Sequence, residues 1–333
     1  MKHHWWGWVL THRGWALIGV LACGILIWLT GAVRTRQRWD QDGQKHSLGL
    51  RRVFPRDNPW NRDISGFAVD PHSDTLIQSI GWKSPLHPDF GTTWRGAPIG
   101  LPFVVVPGTQ PKVAVHFDDP EESDAGRYPI PADAPVERGG SAEGDRHVIV
   151  VDKDHWRLYE LFNARLVGRQ WDAGSGAIFD LTSNRLRPAG RTSADAAGLP
   201  IFPGLVRYEE VHGRRAIDHA LRFTCQRTRR AYVWPARHCA SRLDDSHLPP
   251  MGMRVRLRQG FAISGFPPSD QVILRALKKY GMILADNGGN WFLSGAPDPR
   301  WNDSDLAALR HVEGRDFEVV RMPPVILLKT TAR

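Results

Sequence analysis

Short apolar runs separated by Gly, Pro and Asp turns dominate the chain from residue 64 onward. The clearest runs are Phe103–Val106, Val148–Asp152, Leu158–Phe162, Ala177–Leu181, Ala216–Thr224 and Met253–Leu257. Many short runs of this kind, with no helical period before residue 269, are typical of all-β sandwiches. The pattern predicts a mainly β domain over residues 64–321, an antiparallel β-sandwich or jelly-roll-like fold, followed by a tail over residues 322–333.

Alternation within two of these runs predicts which side chains share a face. In a strand, Leu158, Glu160 and Phe162 would point to one side, and Tyr159 and Leu161 to the other. By the same rule, Arg222 lies opposite His219 across the Ala216–Thr224 strand. Glu160 is therefore either partly buried among apolar neighbours or placed where that face opens into a cleft.

The C-terminal part contains the helical signals. Ser269–Tyr280 has an apolar face and ends before Gly281, which suits a left-handed C-terminal cap. A second short helix is expected from Asp303 to about residue 311, capped by Asp303 or by Ser304. Between them, Met282–Ala285 and Trp291–Leu293 flank a glycine-rich loop and predict a hairpin.

Residues 15–33 form an uncharged apolar run of 19 residues, close to the roughly 20 needed to cross a bilayer. They predict one transmembrane helix that acts as an uncleaved signal anchor, with residues 1–14 as a flank and 34–63 as a juxtamembrane linker. The alternative is lipoprotein cleavage at Cys23, but the apolar run continues beyond that residue. Two basic residues before the run and three after it mildly favour a cytoplasmic C-terminal domain.

The cysteines favour the opposite orientation, with the C-terminal domain outside the cytoplasm. Cys225 and Cys239 lie on runs that could be neighbouring strands, and could form one disulfide in an oxidising compartment. Two unpaired thiols are the alternative.

The net charge of +9 is divided unevenly, since residues 1–50 carry +4 of it. The remainder is spread over about 280 residues without an Arg/Lys stripe of a nucleic-acid module, which argues against nucleic acid. Apolar residues make up 41% of the chain, enough for a full core. An anionic glycan or lipid surface is compatible with the charge.

No specific catalytic motif is present: the chain lacks a Walker loop, GxSxG, HExxH and paired CxxC. A polar cleft is nevertheless expected around residues 173–238. We therefore take as acid or base candidates Asp180, Asp195, Glu160 and His219, and as ligand contacts Arg222, Trp234, Arg237 and His238. For each, an ordinary structural role is the alternative.

Two further groups carry chemistry in the sequence. The acidic run Asp118, Asp119, Glu122 and Asp124 could be a calcium loop, because Ca²⁺ prefers hard oxygen ligands, or simply a solvated loop. His87 and Asp89 could share a metal or a proton, although Asp89 as a turn cap is the simpler interpretation. His147, at a strand end, is a candidate general base.

Several long stretches resemble an uncharacterised family of mostly secreted bacterial and fungal proteins. They are GDRHVIVVDKDHW, AGSGAIFDLTSN, TSADAAGLP, TRRAYVWPARH and ALKKYGMILADNG, and the resemblance covers residues 64–320. It implies an extracytoplasmic domain but assigns no catalytic residue. The chain departs from the pattern by having Cys225 and Cys239 where apolar residues are usual, which favours a disulfide, and Arg191 where a tryptophan is usual.

Together these features predict a carbohydrate-active protein anchored in the bacterial inner membrane by one helix, with its C-terminal domain in the periplasm or at the cell exterior. A glycoside hydrolase or polysaccharide lyase is the first hypothesis. A non-catalytic glycan-binding or structural envelope protein is the alternative. Oligomeric state is not predicted.

Overall fold

Alternating apolar residues in the central strands let one layer of the molecule contribute to two cores. The computed structural model describes Leu48 and residues 51–140 and 144–328. All five residues of the strand Val148–Asp152 are buried; Ile149 and Val151 join the larger core, and Val148 and Val150 join the smaller one. A strand covered on both faces reads as a continuous apolar run, as this one does.

The fold is mainly β. Numbered along the chain, the strands are β1 (His87–Asp89), β2 (Thr93–Trp94), β3 (Ala97–Pro98), β4 (Phe103–Val106), β5 (Val115–Phe117), β6 (Val148–Asp152), β7 (Arg157–Phe162), β8 (Arg165–Val167), β9 (Gln170–Ala173), β10 (Ser175–Asp180), β11 (Leu221–Cys225), β12 (Ala231–Tyr232), β13 (Arg254–Leu257), β14 (Met282–Asn287), β15 (Phe292–Ser294), β16 (Phe317–Val319) and β17 (Ile326–Leu327). The α-helices among the described residues are α1 (Ser73–Ile80), α2 (Pro268–Lys279) and α3 (Asp303–Ala307).

Two sheets organise the described chain. The larger has the order β1-β15-β11-β14-β13-β16, and the second has the order β10-β7-β6-β4. A small sheet, β5-β9-β8, and two strand pairs, β12-β17 and β2-β3, complete the set.

The expectation of purely antiparallel pairing was wrong. Strands β1 and β15, β11 and β14, β4 and β6, and β5 and β9 pair in parallel. Parallel neighbours need a long crossover, and the chain between β11 and β14 supplies one that includes β13 and α2. The sheets are therefore mixed.

The predicted hairpin between β14 and β15 was also wrong, because β11 lies between these two strands. The loop that joins them crosses the end of β11 instead of closing a turn. Gly288 donates to the carbonyl of Cys225 (3.0 Å), and the side chain of Thr224 donates to the carbonyl of Gly289 (2.8 Å).

The predicted helices are present. α2 begins one residue before the predicted start, and Gly281 follows it at φ +65, where an added Cβ would lie 2.1 Å from the carbonyl oxygen of Val255. α3 continues as a 3₁₀ turn to His311, and its cap is Asn302, whose side chain accepts from the backbone of Ser304. α1 was not expected.

The folded domain starts earlier than residue 64. Val53, Phe54 and Trp60 belong to the larger core, so the second half of the predicted linker is part of the domain. In the predicted tail, β17 pairs with β12.

The predicted transmembrane run at residues 15–33 lies outside the described residues. Within the part that is described, none of the helices combines the length and apolarity that crossing a bilayer requires. Cys225 and Cys239 are both buried free thiols, so the expected disulfide is not formed.

Candidate active site

Arg222 lies at the centre of a polar cluster on one face of the large sheet. Its Nε and Nη2 donate to the two carboxylate oxygens of Asp195 (2.8 and 2.7 Å), and Nη1 donates to Oγ of Ser294 (2.6 Å). Nη2 also reaches Asp286 (3.2 Å). Burial alone would lower the pKa of Arg222, but the charge of Asp195 more than offsets it and raises that pKa. The guanidinium is a fixed positive charge with its donors directed at carboxylates and a hydroxyl.

A loop at residues 193–198 holds Asp195 under the guanidinium. The hydroxyl of Ser193 accepts from the backbone N–H of Asp195 (2.9 Å), and Ala197 donates to the carbonyl of Ala285 on β14 (2.9 Å). The carboxylate of Asp195 is 0% exposed and both its oxygens accept from Arg222. Asp195 is therefore a positioning residue that cannot itself reach a substrate.

Asp286 reaches this face because of a β-bulge. Phe223 is opposite Leu284, but Thr224 is opposite Asp286, so Ala285 is the extra residue. Without the bulge, Asp286 would pair with Cys225 and point into the core, because one residue of register reverses the face. Burial, followed by the charge of Asp195, raises the pKa of Asp286 to about 7. Its side chain remains 20% exposed.

A second reachable carboxylate is Asp89, at the end of β1. It pairs in register with Ser294, which places it on the same face as Arg222 but on the opposite side from Asp286. Burial raises the pKa of Asp89, partly offset by the charge of Arg138. Among the described residues, no donor lies within hydrogen-bond distance of its carboxylate.

His147 and Glu137 form a buried ion pair beside the cluster. Nδ1 of His147 lies 2.8 Å from a carboxylate oxygen of Glu137, and Nε2 lies 3.0 Å from the carbonyl oxygen of Ala194. Burial opposes the charge of the imidazole, but Glu137 raises the pKa of His147 to about 9. Since both ring nitrogens face acceptors, the ring is a cation at neutral pH, and the sequence-based role of general base does not suit it.

The eight site residues predicted from the sequence do not lie together in one cleft. Of the eight, Asp195 and Arg222 are paired, and Glu160 lies close enough for the charge of Asp195 to act on it. Glu160 is buried, as one of its two predicted positions requires, and accepts the backbone N–H groups of Ile201 (3.0 Å) and Phe202 (2.9 Å). It is a structural cap, and burial raises its pKa to about 7.

Asp180 and His219 lie away from Arg222. The exposed carboxylate of Asp180 accepts from Thr182, and these hydrogen bonds lower its pKa. Nε2 of His219 lies 3.1 Å from Glu210 in a buried network with Arg207, and its Nδ1 bonds a carbonyl. Neither residue is placed to act with Asp195.

The predicted ligand contacts Trp234, Arg237 and His238 follow β12 and lie beside the loop at residues 193–198. Nδ1 of His238 lies 2.8 Å from the carbonyl oxygen of Ala196, and Nε of Arg237 donates to the carbonyl of Arg187 (2.9 Å). Trp234 is 42% exposed. These side chains support or flank the loop and do not contact Arg222.

The predicted calcium loop does not form. Asp124 accepts from the backbone of Ile178 (2.9 Å) and pairs with Arg187, while Glu122 accepts from the backbone of Thr192 (2.9 Å). Arg191 donates to carbonyl oxygens of the same loop. Among the described residues, no three His, Cys, Asp or Glu side chains are grouped so that they could bind a metal ion.

No protein-family model, curated protein or solved structure matches the chain. The assignment of chemistry therefore depends on the site itself. The sequence pattern did not single out Asp286 or Ser294, and it favoured Asp89 as a turn cap. Asp286 follows directly after a buried apolar run, and this position could have suggested a site residue. The β-bulge that turns its side chain toward Arg222 cannot be predicted from the pattern of apolar residues.

Chemically, the cluster offers one carboxyl group, that of Asp286, whose pKa is raised to about 7, and a second, that of Asp89, that has no hydrogen-bond donor among the described residues. A fixed guanidinium lies between them. Groups with pKa values near the working pH are suited to general acid and base catalysis.

Proposed function

We propose that the chain is a glycoside hydrolase in which Asp286 is the general acid and Asp89 the general base. The observation that carries the proposal is the pair of reachable carboxyl groups with raised pKa values on opposite sides of Arg222. Glycosidases use two carboxyl groups flanking the bond, one protonated and one ionised.

In the proposed reaction, Asp89 takes a proton from water as the water oxygen bonds to the anomeric carbon. The bond from that carbon to the leaving oxygen breaks, and the leaving oxygen takes the proton of Asp286. The products are a hemiacetal and an alcohol, and solvent then moves the proton from Asp89 back to Asp286. Arg222 stabilises the carboxylate that forms at Asp286, because its Nη2 is already in contact with it.

The strand order favours inversion over retention. Asp89 and Asp286 are three strand spacings apart across β1, β15, β11 and β14, which is about 14 Å across the sheet at roughly 4.8 Å per spacing. They are also offset along the strands, because Asp89 lies level with Arg222 and Asp286 lies level with Thr224. Retaining enzymes hold their carboxyl groups about 5 Å apart, and inverting enzymes need more room for a water molecule. The strand spacing separates backbones, so both side chains have to extend toward Arg222 to bring their carboxyl groups within the roughly 6.5–9.5 Å of inverting enzymes. The closer approach that retention needs is less accessible, and we therefore propose a single displacement with inversion at the anomeric carbon.

A hydrolase is favoured over a polysaccharide lyase by the state of Arg222. A lyase must neutralise the carboxylate of a uronate before its α-proton can leave, and a guanidinium would be the natural group. Arg222 is committed to Asp195 through two hydrogen bonds and to Ser294 through a third. Its remaining contact, from Nη2, is to Asp286, so no pair of donors is left to bind a substrate carboxylate through two hydrogen bonds.

We further propose that the domain lies outside the cytoplasm and is anchored by residues 15–33. The support is the apolar run itself and the resemblance to secreted proteins. The cysteines no longer contribute, since both are free and buried.

The test is release of reducing ends from neutral and acidic polysaccharides by the purified full-length chain. We expect Asp286→Asn and Asp89→Asn each to lower kcat by at least about 100-fold, and Asp180→Asn, an exposed carboxylate away from the cluster, to leave it unchanged. NMR of the first product anomer should show inversion. Binding of a glycan without turnover by the wild-type chain would reject hydrolysis and favour a non-catalytic glycan-binding protein.

A further inference from the structure

A short hairpin, β2-β3, follows directly from the strand that carries Asp89. Gly91 donates to the carbonyl of Ile99 and Ile99 donates to the carbonyl of Thr92, so residues 91–99 form a closed projection. Its base is fixed to α3, because the backbone N–H of Thr92 donates to Asp303 (3.0 Å). The hairpin thus has a defined position relative to Asp89, only a few residues away.

The tip of this hairpin exposes a tryptophan. Trp94 is 59% exposed, more than any other large apolar side chain in the described ranges. An exposed indole has a large apolar face that is suited to stacking, which gives a reason for placing it on a projection.

Arg95 at the same tip lacks an acidic partner. Its guanidinium lies 4.3 Å from the centroid of the Trp94 ring, and its backbone has φ +51. Within residues 51–140 and 144–328 no carboxylate forms an ion pair with it. Stacking on the indole leaves the hydrogen-bonding edge of a guanidinium available for a carboxylate.

The hairpin borders the candidate active site. Strand β3 packs against the turn Glu137–Gly140, and the charges of Glu137 and Arg138 in that turn both act on Asp89. Trp94, Arg95 and Arg138 therefore lie on the Asp89 side of the cluster. This part of the site carries aromatic and cationic groups, while the acids lie deeper.

We infer that the hairpin is a substrate subsite for acidic oligosaccharides, with a sugar ring stacked on Trp94 and a carboxylate of the same chain bound by Arg95. This inference rests on the proposed function for its location beside the reacting bond. It adds the substrate class, a polymer of uronic acids or one that contains them, and it names two residues outside the catalytic pair.

The test measures binding to the full-length Asp286→Asn chain by isothermal titration calorimetry. The probes are alginate, polygalacturonate and hyaluronan, each compared with its carboxyl-reduced counterpart, which keeps the sugar linkages and loses the charge. Variants in the same background are Arg95→Gln, Trp94→Ala and Trp94→Phe. Arg169→Gln is the matched control, an exposed arginine in the turn between β8 and β9.

At least one acidic polymer should bind, and Arg95→Gln should weaken it about tenfold while leaving binding of the neutral counterpart unchanged. Trp94→Ala should weaken both forms by about five- to tenfold, and Trp94→Phe by less. Arg169→Gln should behave like the parent.

Equal affinity of Arg95→Gln and Arg169→Gln for every acidic polymer would overturn the inference, as would binding of no polymer at all. Binding that depends on Arg95, combined with no turnover by the wild-type chain, would sustain the subsite and reject the hydrolase. The two failures are therefore distinguishable.

Discussion

Removing the carboxylate of Asp195 is the most informative perturbation of the cluster. In Asp195→Asn, Arg222 loses its bidentate partner while remaining 4% exposed. Breaking one partner of a buried ion pair costs about 3–5 kcal/mol, because a charge is left buried without compensation. Asp286 already contacts the same Nη2, so it can ionise and offset part of the loss. We expect the free energy of unfolding to fall by about 3 kcal/mol.

The same substitution has an electrostatic consequence for Asp286. The charge of Asp195 raises the pKa of Asp286, and the charge of Arg222 lowers it. With Asp195 neutralised, the charges of Arg222 and His147 and the backbone hydrogen bond from Asn287 all lower this pKa, and burial is left to raise it. The pKa of Asp286 should fall, and the alkaline limb of the pH–rate profile, where the general acid loses its proton, should move to lower pH with it.

Urea denaturation of the full-length chain at pH 7 measures the first effect, and the pH dependence of kcat measures the second. Asp180→Asn is the control, because the side chain of Asp180 is exposed and, within the described chain, hydrogen-bonds only to Thr182; its cost should stay below about 1 kcal/mol. An Asp195→Asn chain as stable as the control would refute the view that Arg222 is held by a buried pair.

Three further predictions concern other parts of the molecule. Burial raises the pKa of Glu160 to about 7, so its contribution to stability is present below pH 4.5 and is lost as the pH rises to about 7. The free energy of unfolding of the wild-type chain should therefore fall over this pH range, and Glu160→Gln should reduce that fall by up to about 3 kcal/mol. An unchanged dependence on pH in the variant would contradict this. Burial raises the pKa of Cys225 to about 12, so its thiol should resist alkylation at pH 8 until urea unfolds the chain, as peptide mass spectrometry can check; rapid labelling of the native chain would be inconsistent with its burial. Gly281→Ala should lower the urea midpoint by the equivalent of about 2 kcal/mol or more, because its Cβ would collide with the carbonyl of Val255 at a positive φ; a midpoint equal to that of the parent would show that the backbone there can relax.

Local patterns predicted local structure well. The period of two in β7 placed Leu158 in the larger core, and Tyr159 and Leu161 in the smaller one. The apolar face and the terminal glycine located α2 to within one residue at each end. Each of these features depends on residues within a few positions of each other, where periodicity and capping act.

Pairing between distant strands could not be predicted in this way. The insertion of β11 between β14 and β15 depends on contacts between residues about 60 positions apart or more. A turn motif contains no information about contacts at that distance along the sequence. The glycine-rich loop at residues 286–290 has the composition of a hairpin turn, but its polar groups bond to the end of β11.

The candidate site illustrates the same limit. Asp195 and Arg222 were both predicted from the sequence as site residues. The structure shows that they form an ion pair with Asp195 buried, so Asp195 positions Arg222 and is not a catalytic acid. Asp286 was missed because its orientation depends on a single extra residue in the parallel pair. The acidic run at residues 118–124 looked like a metal loop because composition does not reveal that Arg187 and backbone N–H groups take up its carboxylates.

The protonation of Asp286 is the central claim, and it can be measured without a substrate. Selective ¹³Cγ labelling of aspartate in the full-length chain, with Asp286→Asn to identify the signal, gives its titration curve by NMR. The account predicts a midpoint near pH 7, because the carboxyl group is buried beside Asp195. A midpoint near the ordinary value of 3.8 would contradict it, since Asp286 would then be ionised at neutral pH and unable to donate a proton.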